Sequence, residues 1–493
     1  MKNIMLNFFS KARIKEDKDL LVGHGTFIIL LIFSVIFVNE RVLFIDSAYQ
    51  LFEMIQRCGF QQNVRRYSMF LAELLPLLAI KLQLSLKIVV LFYSVSFTLI
   101  AYGFWALTTY VLKNRYVGII MLFTMIGMRH TFFHTISETF QLMFFAAFLY
   151  AWLNSRFAKR ITVAGKSLYY FVALFMMTLC TFIHPVALFF LVFILGIYIL
   201  NKNYTISQKT LITLITIGIV ILKFATVVQG SHDTDYNMGI REFLGYCLHI
   251  YRIRSTEWFF IRLIDFYWAP VLLLVLALIY YRRKKQYLNF WFFLGFNLSF
   301  LIITLVLYHN PDSAIGRERS FLPLMFFCGV PFMRDVFPNI SLKQHKAFYI
   351  TLTCLLCIGF VKIAIAAIPY SKRINKIEEI VAFANQENQK KLVMDREASN
   401  AIIPFFNWAT GFESMMYSAM MDKNSTVNFY IEEDLDTHRT NANFLNEDIF
   451  LAVPWWTFWE ISYLNPHYFT LPKQPAKELV VKDGKFVIKE LNP

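Results

Sequence analysis

Charge is scarce in this sequence. Asp, Glu, Lys and Arg make up 16% of its 493 residues, against about 25% in soluble domains, which excludes a string of ordinary soluble domains. Cysteine is scarce too, with six scattered copies. Cys180, Cys328, Cys354 and Cys357 fall inside apolar runs. Cys354 and Cys357 have CxxC spacing but share one apolar helix, which points to packing rather than metal or redox chemistry. A cleavable leader is not expected either: the first apolar run, 20–38, is too long and has no small-residue cleavage site. Hydrocarbon takes the place of charge. The chain is 57% hydrophobic with 53 Phe, and its mean hydropathy is +0.50. Its apolar runs recur along the chain, and about 20 such residues cross a bilayer core as a helix.

A net charge of +15 would suggest nucleic acid in a soluble protein. Here the excess lies between apolar runs, where it sets membrane orientation and meets anionic headgroups, so no nucleic-acid partner is expected. Lys2, Lys11, Arg13, Lys15 and Lys18 hold the N-terminus in the cytoplasm. Further basic clusters stand at Lys113/Arg115, Arg156/Lys159/Arg160/Lys166, Lys202, Arg282/Arg283/Lys284/Lys285 and Lys343/Lys346. Keeping all of them cytoplasmic gives spans at 20–38, 86–112, 116–128, 139–154, 168–183, 185–201, 210–228, 265–281, 286–308, 320–334 and 347–367. That is about eleven, an odd number, which places everything beyond 370 outside. Residues 68–84 are apolar but short and carry Glu73, Pro76 and Lys81. They are expected to form an interfacial or re-entrant helix along the outer surface.

The outer loops then hold an unusual number of arginines, against the insertion rule: Arg65, Arg66, Arg129, Arg252, Arg254, Arg317 and Arg319. An anionic ligand such as a phosphate explains the set, because guanidinium binds phosphate oxygens bidentately. Headgroup contact, or pairing of Glu318 with a neighbouring arginine, is the plainer alternative for any one of them.

Three stretches carry a resemblance. Asp46 lies in the first outer loop (FIDSAYQLFEMI), Glu138 ends the second (RHTFFHTISETFQLMFF), and Arg317 and Arg319 precede a Pro-containing span (GRERSFLPLMFF). With a soluble domain after the last span, this arrangement over 20–370 resembles the GT-C superfamily of integral membrane glycosyltransferases. The resemblance implies transfer of a sugar from a polyprenyl-phosphate donor to a glycan, lipid or protein acceptor on the outer face. It implies Asp46 as the catalytic carboxylate, Glu138 as a second acid for a metal or the acceptor, and Arg317 or Arg319 on the lipid phosphate. Arg65, Arg66, Arg129 and His184 are further candidates for the substrate site. The chemistry fits: an acceptor hydroxyl must lose its proton to a placed base, and the departing phosphate gains charge that cations stabilise. Asp46 or Ser47 as a helix cap is the structural alternative, since Ser47 and Gln50 have capping-box spacing. A divalent metal is left open, because the acids nearest Asp46 are Glu40 and Glu53 and none adjoins it. His130 and His134 stand four apart without the glutamate of a zinc motif.

Beyond 370 the apolar runs stop. A helix is expected over 372–393, a strand over 425–431, and a hairpin in ELVVKDGKFVIKEL about Asp483-Gly484. Trp455, Trp456 and Trp459 are expected to pack on the membrane part or to stack on sugar. The expected fold is therefore an all-α polytopic membrane bundle over 1–370 with a small C-terminal α+β extracytoplasmic domain over 371–493. The bacterial cytoplasmic membrane is the expected location, ahead of the ER. A lipid-linked oligosaccharide polymerase, ligase or flippase is the rival function; few charges in mid-span argue for the transferase.

Overall fold

The computed structural model describes residues 18–61, 67–155, 162–226, 238–309, 314–405, 407–435, 442–452 and 458–491. It is mostly helical. Seven helices are long and apolar enough to cross a membrane: Leu86–Val111, Val163–Thr181, Ile206–Thr226, Arg254–Arg283, Tyr287–Leu307, Ile315–Asn339 and Leu342–Gln386. Four shorter apolar helices, Leu20–Ile36, Arg115–Gly127, Glu138–Leu153 and Ala187–Leu200, lie where the remaining spans are expected. Exposed Leu214, Ile221, Phe224, Val361 and Ile365 give the bundle an apolar exterior, which in water would be a large unpartnered patch and in lipid is ordinary surface. Helices approach closely where a side chain is missing. A Cβ on Gly359 would stand 3.1 Å from the Met125 carbonyl oxygen, a small-residue contact of the kind that lets membrane helices meet.

We label the elements that shape the candidate site. Helix α1 is Ile45–Arg57, α2 is Phe70–Lys81, α3 is Leu86–Val111, α4 is Arg115–Gly127 and α5 is Glu138–Leu153. Then come α6, Arg254–Arg283, α7, Ile315–Asn339, and α8, Leu342–Gln386, followed by α9, Thr410–Met421. Helix α1 buries Ala48, Leu51, Phe52 and Ile55, a helical-period stripe, and Cys58 in the left-handed conformation ends it. Helix α2 answers for the segment 68–84. Its 12 residues include Glu73, Pro76 and Lys81. It folds back along α3, where the Ser96 hydroxyl donates to the Ala72 carbonyl, and leaves Leu74, Leu78 and Leu82 as an exposed stripe.

The largest departure from the sequence reading is at residue 370. The expected span 347–367 and the helix 372–393 are one continuous helix, α8, of 45 residues. A capping box between Ser341 and Gln344 starts it. It ends before 393, because residues 391–395 are a strand, β1 (Lys391–Asp395). Strand β1 is the centre of the C-terminal sheet. It pairs in parallel with β2 (Asn428–Glu432) and in parallel with β5 (Lys477–Lys482), which turns through Asp483 and Gly484 into antiparallel β6 (Lys485–Lys489). Both turn residues have positive φ, as the expected hairpin requires. A second, two-stranded sheet joins β3 (Ile449–Leu451) to β4 (Phe458–Glu460).

The sheet domain is joined to the bundle through α1 and the α2–α3 turn. Phe52 of α1 meets Phe412, Phe450, Trp459 and Phe469. Tyr463 donates to Glu53, and the Asn465 side chain donates to the Ile55 carbonyl. His467 reaches the Gln83 carbonyl at 3.1 Å. Trp459 therefore packs at this joint, while Trp455 and Trp456 lie outside the described residues.

Candidate functional site

The site is organised by the loop between α4 and α5, residues 128–137, which folds as a 3-10 turn over His130–Phe133. Three successive backbone N–H groups there point at one acid. Glu318 of α7 accepts from Arg129 at 2.6 Å, His130 at 2.9 Å and Thr131 at 2.9 Å, and its side chain is buried. A carboxylate offers only acceptors, so it satisfies donors that the turn leaves open. These bonds join Glu318 to the backbone of the second loop, where sequence reasoning had it pairing with a neighbouring arginine.

Its two arginine neighbours diverge. Arg319 lies 3.6 Å from a carboxylate oxygen of Glu138, which is buried as the first residue of α5. Arg317 stands over Trp258, 6.0 Å from the ring centroid. The same loop reaches Asp46 on its other side. His134 Nε2 lies 3.1 Å from Asp46 Oδ2, with the imidazole 3% exposed and the Asp46 side chain 43% exposed. Thr135 donates to the Ser47 hydroxyl at 2.9 Å. Neither Asp46 nor Ser47 caps α1, whose N-cap position is Phe44 with no side-chain bond. Buried Arg41 pins the loop from below: it donates to the Ser94 hydroxyl and carbonyl and to the Phe132 carbonyl, and its guanidinium lies over the Phe132 ring.

Arg129 and Arg262 both act electrostatically on His130. Burial, then these two arginines, push the His130 imidazole down to about 4, so it is neutral near pH 7. Lys362, on α8, donates to the Asp265 carbonyl and stands 4.3 Å from the Phe266 ring centroid; Arg262 pairs with Asp265 at 2.9 Å.

An apolar groove lies among α4, α6, α7 and α8. Ile126, Trp268, Leu272, Met325, Leu352 and Leu355 line it around ≈ 510 Å³ of open space. Along α8, Lys362 stands two turns beyond the lining residue Leu355.

Buried polar atoms with no hydrogen-bond partner among the described residues include the Tyr93 hydroxyl, Arg129 Nε, His134 Nδ1, the Ser137 hydroxyl and Gln141 Oε1. Such orphans are uncommon in a settled interior and call for a missing partner. His184 accepts the Val186 amide at the turn into the helix Ala187–Leu200, and Arg65 and Arg66 lie outside the described residues. Among the described residues no three His, Cys, Asp or Glu side chains are placed to share a metal ion. Glu40 accepts from Ser371, and Glu53 pairs with Arg57 at 2.6 Å, so neither joins Asp46.

Sequence reasoning missed Arg41, Arg262 and Lys362. Lys362 did leave a signal, as a lone cation in the middle of an apolar run. Comparison with protein-family models, with characterised proteins and with solved structures finds no match to this chain.

Proposed function

We propose that the chain is a membrane glycosyltransferase that moves a sugar from a polyprenyl-phosphate donor to a hydroxyl acceptor at the sheet-bearing end of the bundle. The observation that carries this reading is a set of pairs about one loop, Asp46–His134 and Glu138–Arg319, with Arg129 on the same loop and Arg262 and Lys362 meeting at Asp265. A lipid tail fits the groove, whose described lining is apolar, and its phosphate meets Arg129, Arg262 and Lys362. The half-exposed Asp46 takes the acceptor's proton as the hydroxyl attacks the anomeric carbon. The bond from that carbon to the phosphate oxygen breaks, and the cations stabilise the phosphate as it gains charge. Arg319 is the nearer of the two late arginines to this chemistry, since Arg317 faces Trp258.

The topology belongs to the same proposal. In this reading the seven long and four shorter apolar helices are eleven spans, and the sheet domain and the candidate site lie on the outer face of a bacterial cytoplasmic membrane. The test is transfer in nanodiscs from a radiolabelled polyprenyl-phosphate sugar to glycan and lipid acceptors. Release of polyprenyl phosphate by the wild type, lost in Asp46→Asn at equal folded yield, is expected. Lipid movement across the bilayer without release would replace the enzyme with a flippase.

A further inference from the structure

The residue before Asp46 is held in a conformation its side chain disfavours. Ile45 is β-branched and buried, yet its φ is 33°, in the left-handed region that such residues avoid. Its amide donates to Glu413 Oε1 at 2.8 Å. Glu413 lies on α9 of the sheet domain, and its other oxygen takes two bonds from Arg373 of α8, at 2.7 and 3.0 Å. Arg373 also donates to the Pro404 carbonyl and the Asn407 side chain. The acid and the arginine are 0% and 1% exposed.

A fully buried ion pair is a poor source of stability, since desolvation offsets the attraction. This one does something an apolar pair would not: it places an acceptor, already neutralised, on a strained amide. The strain persists because the surroundings over-determine it, and the next residue in the chain is Asp46. We propose that Glu413, neutralised by Arg373, is a positioning residue that holds Ile45 in the left-handed conformation and thereby directs the Asp46 carboxylate onto His134. This rests on the transferase reading only for its consequence. The sheet domain then completes the site without touching substrate.

The test uses the full chain in nanodiscs with ¹⁵N-labelled histidine, following the His134 ring signal, with Asp46→Asn defining the uncoupled position. Arg373→Met combined with Glu413→Leu removes the acceptor without stranding a charge. Ile45→Pro removes the amide hydrogen and sets φ near −65° while leaving the ion pair intact, and it decides alone if the double variant does not fold. Both are expected to move the His134 signal to the uncoupled position. Adding Ile45→Gly to the double variant is expected to bring it back in part, because glycine adopts positive φ freely; a merely structural pair would show no such rescue. A folded variant that keeps the wild-type His134 signal overturns the proposal. Should the signal respond while even the wild type transfers no sugar, the positioning stands and the transferase reading falls.

Discussion

Nε2 of His134 lies 3.1 Å from Oδ2 of Asp46, and the ring's other nitrogen is buried with no hydrogen-bond partner among the described residues. An ionised carboxylate only accepts, so Nε2 carries the hydrogen when His134 is neutral and Nδ1 keeps a lone pair. The carboxylate is thus oriented from its buried side and open on the other, as a base needs to be.

Asp46→Asn and His134→Gln are expected to behave differently. Loss of the base should lower the turnover of sugar transfer by about 10²-fold or more. Loss of the orienting ring should lower it less while leaving the apparent affinity for donor lipid in place. Steady-state kinetics on both variants checks this; unchanged turnover in Asp46→Asn removes Asp46 from the mechanism.

Glu318→Gln tests the anchoring of the second loop. The amide turns an NH₂ group toward N–H donors, so at least one of three bonds is lost at a buried site, at a cost of about 1–3 kcal/mol. Thermal unfolding in detergent should shift down accordingly, and further for Glu318→Ala. Wild-type stability in both would show that the three amides do not depend on this acid.

Arg129→Met, Arg262→Met and Lys362→Met should each weaken binding of polyprenyl phosphate. A bond to a charged group is worth about 1.5–3 kcal/mol, so a loss of roughly tenfold or more in affinity is expected. Native mass spectrometry with the unglycosylated lipid reads it. Arg252→Met, at a guanidinium over the exposed Tyr251, should bind as the wild type does.

The His130 ring gives a pH dependence. Its folded value is pushed down to about 4 from the ordinary 6.5, so the unfolded chain takes a proton that the folded chain refuses. Its contribution is intact above about pH 6.5 and falls as pH drops toward 4, by at most about 1.4 kcal/mol per pH unit. Unfolding midpoints measured across this range should flatten in His130→Gln. An unaltered profile would place His130 outside the acid response.

Orientation is checked by single cysteines in a cysteine-free background. Asp46→Cys, Arg317→Cys and His467→Cys should react with an impermeant reagent from the outside, and Lys284→Cys only after the membrane is opened. Labelling of position 46 from the cytoplasm would reverse the topology.

By itself the sequence determined the membrane character of the chain, because the free energy of each apolar run is set by its own residues. The Asp483-Gly484 hairpin was legible for the same reason: positive φ is a local preference. Asp46 and Glu138 stood out as acids beside apolar runs. Their partners were decided only by the tertiary structure. Asp46 and His134 are 88 residues apart, Glu318 and Arg129 are 189 apart, and Ile45 and Glu413 are 368 apart. Strand β1 was read as the end of a helix, because its pairing with β2 and β5 outweighs what its five residues favour alone. Glu318 between two arginines reads as an ion pair in the sequence. Helix packing turned its carboxylate to backbone amides instead, and a buried acid answers to whichever donors the fold brings within reach.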